Sequence, residues 1–176
     1  MLERYAPFFE KSSMLKALGI ALIYLCAVTS ALGQTANLIL TEAQNNLWLD
    51  SLSNSALKAK LNLINQRLLN DTAVFVKKSY SDVLKGNYKK GSKVEGYGKP
   101  ILIISGRYFI MENYSEPQEI IKLTKLLTLK NVTDISVIKA TDPQATAIFG
   151  QVAENGVIIL TISNKKIAKL FTNLKL

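Results

Sequence analysis

The side chains that most often do chemistry are scarce in this sequence, and the ones present are badly spaced for it. There is no histidine, and the single cysteine, Cys26, lies in an apolar block near the start. Ser-His-Asp and Cys-His catalysis are therefore excluded, as are zinc sites built on their usual ligands. Ser-x-x-Lys occurs at Ser55/Lys58 and Ser163/Lys166 without any supporting motif for a serine nucleophile. The carboxylates Glu42, Asp50, Glu95, Glu112, Glu116 and Glu119 are dispersed and form no acid/base pair, and no phosphate-binding loop is present. The sequence predicts a protein that is not an enzyme and that holds no metal or cofactor.

Function must then come from surfaces, and the elements that build them can be read along the chain. Leu18 to Val28 is an uncharged apolar run preceded by Lys16, with Ala31 and Gly33 as small residues beyond it. A basic start, a short apolar stretch and small residues at −3 and −1 describe a secretory signal over 1–33, cut after Gly33. Retention as an anchor is the alternative, although a bilayer span needs about 20 apolar residues. Leu25 before Cys26 argues against lipidation, and the remaining chain has no cysteine for a disulfide. Cleavage removes Arg4, Lys11 and Lys16 together with Glu3 and Glu10, so the net charge falls from +9 to +8. Such a basic chain favours phosphates, anionic lipid or an acidic partner. Its lysines come without arginine-rich or aromatic reading motifs, so nucleic acid is not an expected partner.

Residues 34–76 read as a helical N-terminal extension ending in a strand. Thr41 and Gln44 have capping-box spacing. Leu57, Leu61, Ile64 and Leu68 then form one stripe of a helix from about Ser55 to Leu69, with Trp48 between the two helices. Residues 77–99 are rich in lysine and glycine and read as a basic linker, with one helical turn at 81–84. Residues 100–166 alternate strands and short helices. PILIIS from Pro100, DISVIK from Asp134 and VIILTI from Val157 are strands, the first two of them buried, and Arg107–Met111 is a further strand or a turn. Ser115 and Thr141 are expected N-caps ahead of Pro117 and Pro143. Residues 167–176 form an amphipathic helix with Ile167, Leu170, Phe171 and Leu174 on one side and lysines on the other. The fold class is α+β: a small mixed β-sheet packed with short helices.

Asp134 to Lys166 resembles the closing segment of the plug domain of TonB-dependent outer-membrane receptors, of the nutrient-uptake type abundant in Bacteroidetes. Ile135, Val137, Ile138 and Lys139 match its strand. Ala145, Ala147, Ile148, Phe149 and Gly150 match its "A-x-A-I-Y-G" helix, and Asn155, Gly156, Val157, Ile158 and Thr161 match its final turn and strand. Pro100 to Gly106 resembles the family's "P-L-x-V-I-D-G" strand, with Ser105 in place of the acid. The resemblance covers 100–166 and implies a plug-like core in which Gly106, Ala147, Phe149, Gly150, Asn155 and Gly156 are structural. Gly150 is expected to end its helix in the left-handed conformation, and Asn155-Gly156 to supply positive φ for a reversal.

The family's barrel has about 22 strands, whereas only ten residues follow Lys166 here, with helical periodicity. The resemblance therefore implies a stand-alone plug-like protein, periplasmic or associated with the outer membrane. Asp71, Thr72, Ala73, Val74, Phe75 and Val76 resemble the TonB box, which is offered to a transducer by strand addition; the same residues also read as a plain structural strand. The expected partner is another envelope protein, either a TonB-type transducer or a separate outer-membrane barrel. Two alternatives stay open: a small-ligand or lipid-binding module that uses residues 77–99 and the terminal helix at a membrane surface, and a truncated receptor relic.

Overall fold

The structure, a computed structural model, describes residues 38–76, 93–110 and 115–174. The signal segment expected over 1–33, most of the linker with its turn at 81–84, and the last two residues lie outside these.

Helix α1 (Glu42–Ser53) begins at the predicted capping box. Gln44 N–H donates to Thr41 Oγ1 (3.2 Å), and Thr41 N–H donates to Gln44 Oε1 (3.1 Å). Helix α2 (Leu57–Asn70) buries Leu61, Ile64 and Leu68. Trp48 lies half-buried on α1 under the Arg67 guanidinium of α2, 5.1 Å from the ring centre, so the expected packing between the helices is reinforced by a cation–π contact. A 3-10 turn (Asp71–Ala73) leads into β1 (Val74–Val76), which pairs in parallel with β2 (Val94–Gly96).

The remaining strands, β3 (Ile101–Ile104), β4 (Arg107–Phe109), β5 (Val132–Ile138) and β6 (Val157–Ile162), form a mixed sheet in the order β4-β3-β6-β5. The central pair β3–β6 is parallel and the outer pairs are antiparallel. Side chains alternate across a strand, so the two faces can be assigned by parity. Leu102, Ile104, Ile135, Ile158 and Leu160 face one way, toward Leu52 of α1, Leu61, Ile64 and Leu68 of α2, and Ile120 and Leu123 of α3 (Pro117–Leu126). Ile101, Ile103 and Val157 face the other way, toward Ala145 of α4 (Pro143–Phe149) and Ala153 of a following 3-10 turn (Gly150–Ala153). All four residues of β3 are buried because both of its faces are covered, which is why that strand reads as a continuous apolar run.

Several expectations need correction. The helices of 34–76 are not an appendage: their leucines and Ile64 share one core with the sheet, and residues 38–176 form a single compact unit. The linker expected over 77–99 is partly built in, since 94–96 form β2, Tyr97 N–H donates to Leu40 O (3.0 Å), and Lys99 is buried. The strand expected at Asp134–Lys139 starts earlier, at Val132. Only Val132 and Ile135 of it are buried, and Thr133 and Asp134 are exposed in succession where the register shifts. The N-cap positions fall one residue later than expected. Glu116 precedes Pro117 without a side-chain cap, and Asp142 rather than Thr141 accepts from Gln144 N–H (2.9 Å), because a proline at the first helical position fixes the residue before it as the cap.

Helix α5 (Lys165–Thr172) is capped by Asn164 Oδ1, which accepts from Ile167 N–H (2.9 Å). Phe171 and Leu174 enter the core, whereas Leu170 of the expected stripe stays 47% exposed. The helix lies against one strand surface, so its apolar stripe is narrower than predicted. The Arg107 guanidinium on β4 donates to Thr172 O and Leu174 O, covering orphan carbonyls at the end of α5.

Candidate functional site

The structure sorts the predicted site residues into two groups at different places on the fold. The first group begins at Asp71. Asp71 is 2% exposed, and Arg67, one helical turn earlier, donates through Nε to both carboxylate oxygens (2.8 and 2.7 Å). Desolvation pushes the Asp71 carboxyl above the usual carboxylate range, against the opposing pull of Arg67 and Lys99. Thr72 Oγ1 donates to Leu69 O (2.6 Å), and Ala73 is exposed. Val74 and Phe75 are buried in β1, whose register pairs Val74 with Val94 and Val76 with Gly96. A segment offered by strand addition has to present a free edge. Here Asp71–Ala73 is a 3-10 turn anchored by a buried ion pair and only Val74–Val76 is a strand, and releasing the segment would expose Val74, Phe75 and an uncompensated guanidinium.

The same arginine extends the network. Arg67 Nη1 donates to Asn45 Oδ1 and Nη2 to Gly98 O (3.4 Å each), and Asn45 Nδ2 donates to Asn155 O (3.0 Å). Asp71 and Asn155, far apart in sequence, are thus joined through Arg67 and Asn45. The Asn155-Gly156 pair supplies the expected positive φ, at Gly156 (+96°). A Cβ there would lie 2.7 Å from Leu49 Cδ1, so glycine also permits the close approach of α1. Asn155 packs flat on Gly98. This group holds the α1–α2 pair to the start of β6.

The second group surrounds the β3–β4 hairpin. Ser105 (φ +52°) and Gly106 (φ +79°) form its two-residue turn, with positive φ at both positions as the right-handed twist of the strands requires. Two residues on, Tyr108 meets Phe149 edge-on, with ring centres 6.4 Å apart at 68°. That contact places β4 beside the end of α4, whereas the space around Gly106 itself is open. Gly150 has φ +71° with ψ −163°, outside the left-handed helical region expected for it and in a region essentially limited to glycine. The chain then turns directly into the 3-10 segment. Ala147 is exposed, Ile148 is 64% exposed and Tyr108 is 52% exposed, so a small apolar patch lies beside β4. The sequence reading missed Tyr108 and Ile148 as surface residues. Parity from the Gly106 turn puts Tyr108 on the thinly covered face, which is the signal that could have found it.

The two ends of the sheet differ. At β5, Lys60 Nζ on α2 donates to Ile135 O (3.0 Å), so a lysine caps the edge, and Thr133 is an extra residue that breaks the register. Both devices discourage pairing. At β4, the tight turn makes Ile104 and Arg107 the hydrogen-bonded pair, so the backbone N–H and C=O of Tyr108 point away from β3. In the two Ser-x-x-Lys pairs, Ser55 Oγ donates to Ser51 O (2.7 Å) and Ser163 Oγ accepts from Asn164 Nδ2 (3.4 Å). Among the described residues no group of three or more histidine, cysteine or carboxylate side chains is placed to hold a metal ion, and no helix is long and apolar enough to cross a membrane.

No protein-family model matches the chain, and the searches of curated proteins and of solved structures give no match either.

Proposed function

We propose that the chain is a non-catalytic, exported, plug-like protein that binds another envelope protein, a TonB-type transducer or a separate outer-membrane barrel, through the β4 edge of its sheet. One observation carries this reading: β4 ends the sheet with the outward backbone groups of Tyr108 beside the exposed apolar surface of Tyr108 and Ile148, while the opposite edge is capped by Lys60. Strand addition supplies backbone hydrogen bonds for affinity and side-chain contacts for selectivity. The β4 edge is preferred over Asp71–Val76 because Asp71 is held in a buried ion pair and Val74 and Phe75 are buried, so that segment would have to be pulled out of the fold to be offered.

A photo-crosslinking residue placed at Tyr108, and separately at the exposed Ala73, tests this in native cell envelopes. An adduct with a transducer or a barrel from position 108 alone supports the β4 edge. An adduct from position 73 alone moves the interface to the TonB-box-like segment. Absence of any adduct at both positions removes the protein-binding reading.

A further inference from the structure

Charge is distributed unequally along the sheet. Ser163 N–H donates to Asn131 O (2.8 Å), which brings the 128–131 loop beside the 163–166 segment where β6 passes into α5. Lys130, Lys165 and Lys166 therefore gather at one end of the molecule, and Lys169 follows one turn along α5. All four are exposed, and none forms an ion pair with a described residue. The carboxylates collect at the opposite end. Asp50 pairs with Lys139 just past β5, Asp142 caps α4, and Glu154 precedes β6 and shares the surroundings of Tyr97 with Glu42. Asp134 is the described carboxylate closest to the lysine end, and it points to the sheet face opposite α5. Two apolar side chains stand exposed among the lysines: Leu129 (53%) beside Lys130, and Leu170 (47%) one turn from Lys166.

From this arrangement we propose that the lysine end, formed by α5 and the 128–131 loop, is a docking surface for an anionic lipid bilayer. The inference does not depend on the β4-edge reading. Phe171 and Leu174 fix α5 to the core, so its outward face is presented already folded. The ammonium groups meet headgroup phosphates, while Leu129 and Leu170 reach the headgroup–acyl boundary, the division of labour of an interfacial basic amphipathic helix. Each lysine near an anionic surface raises partitioning about fivefold at moderate salt. Four of them give a substantial preference for anionic over neutral lipid without any bilayer-spanning element.

The test mixes the full chain with vesicles of phosphatidylcholine alone and of phosphatidylcholine with phosphatidylglycerol. Lysine acylation is then read by peptide mass spectrometry. Lys130, Lys165, Lys166 and Lys169 should lose reactivity with the anionic vesicles only, and regain it at high salt. Lys58 and Lys122, exposed on α2 and α3, should react equally with both. The segment at 1–33 and the lysines of 77–99 are the same in the wild-type and substituted chains, so the change in the anionic-to-neutral ratio on substitution isolates the α5 lysines. In the K165E/K166E/K169E variant that ratio should fall by at least about a hundredfold, with an unchanged circular dichroism spectrum. Equal protection with neutral lipid, equal protection of Lys58 and Lys122, or an unaltered ratio in the variant would each overturn the proposal.

Discussion

Replacing Arg67 by alanine tests whether Asp71 belongs to the scaffold or to a detachable binding segment. Arg67 and Asp71 are both almost fully buried, and the guanidinium reaches both carboxylate oxygens, Asn45 and Gly98. The variant leaves the carboxylate in a dry site and deprives Asn45 Oδ1 and Gly98 O of their donors. Breaking a buried pair by removing one partner costs about 3–5 kcal/mol. With a urea slope of about 2 kcal/mol per molar, the unfolding midpoint should fall by about 2 M. The double variant R67M/D71L removes both charges and should cost clearly less than R67A, because no ion is left stranded even though Asn45 Oδ1 and Gly98 O still lose a donor. The pH dependence follows from the direction of the Asp71 shift. Burial raises its folded pKa, so the folded state holds the proton more tightly than the unfolded chain does. The resulting stability is fully present below the unfolded value and is lost as pH rises through the raised folded value. Removing Arg67 takes away a lowering influence and widens that window, so the penalty of R67A should shrink in mild acid, where Asp71 takes up a proton. A loss below about 1 kcal/mol for R67A, or a double variant as damaging as the single, would refute a scaffold role for the pair.

Three further outcomes follow from particular contacts. Ser105 takes positive φ without being glycine, at a cost of about 1–2 kcal/mol, so Ser105→Asn should raise the melting temperature and Ser105→Val lower it. Gly156→Ala should destabilise more than Gly150→Ala. Both strain the backbone, but only the first drives a Cβ to within 2.7 Å of Leu49, and urea titrations of the two variants measure the difference. Lys60→Ala should lower stability by no more than about 1 kcal/mol. It should increase self-association in analytical ultracentrifugation, because the carbonyl of Ile135 becomes available on an otherwise pairable edge.

What was legible in the sequence was what short-range physics determines. Thr41 and Gln44 act on each other across three residues, and the Ile101–Ile104 and Val157–Ile162 runs are apolar enough to be strands in any context. The α+β class follows from those elements. Their neighbours did not, because β3–β6 pairing joins residues more than fifty positions apart and leaves no local trace. The candidate site divides in the same way. The positive φ of Gly156 was readable from the Asn-Gly turn, but Tyr108 meeting Phe149, and Asn45 linking Arg67 to Asn155, depend on the tertiary arrangement. The Arg67–Asp71 pair was the exception: its four-residue spacing is that of a helical ion pair, although Asp71 also opens the turn that leads into β1.

The parallel pairing at the centre of the sheet also sets the order in which the chain can acquire its structure. Ile101–Ile104 has no central neighbour until Val157–Ile162 has been synthesised, and Asn45 waits for a partner 110 residues away. Closing such long loops is an entropic cost met before the contacts reward it, so folding should be slow relative to a helical protein of the same length. Until β6 has been synthesised, β3 has only its β4 hairpin neighbour, and its other edge stays unpaired. That delay leaves apolar segments open to misassociation, so a holding chaperone should raise the folded yield of this chain more than a folding one.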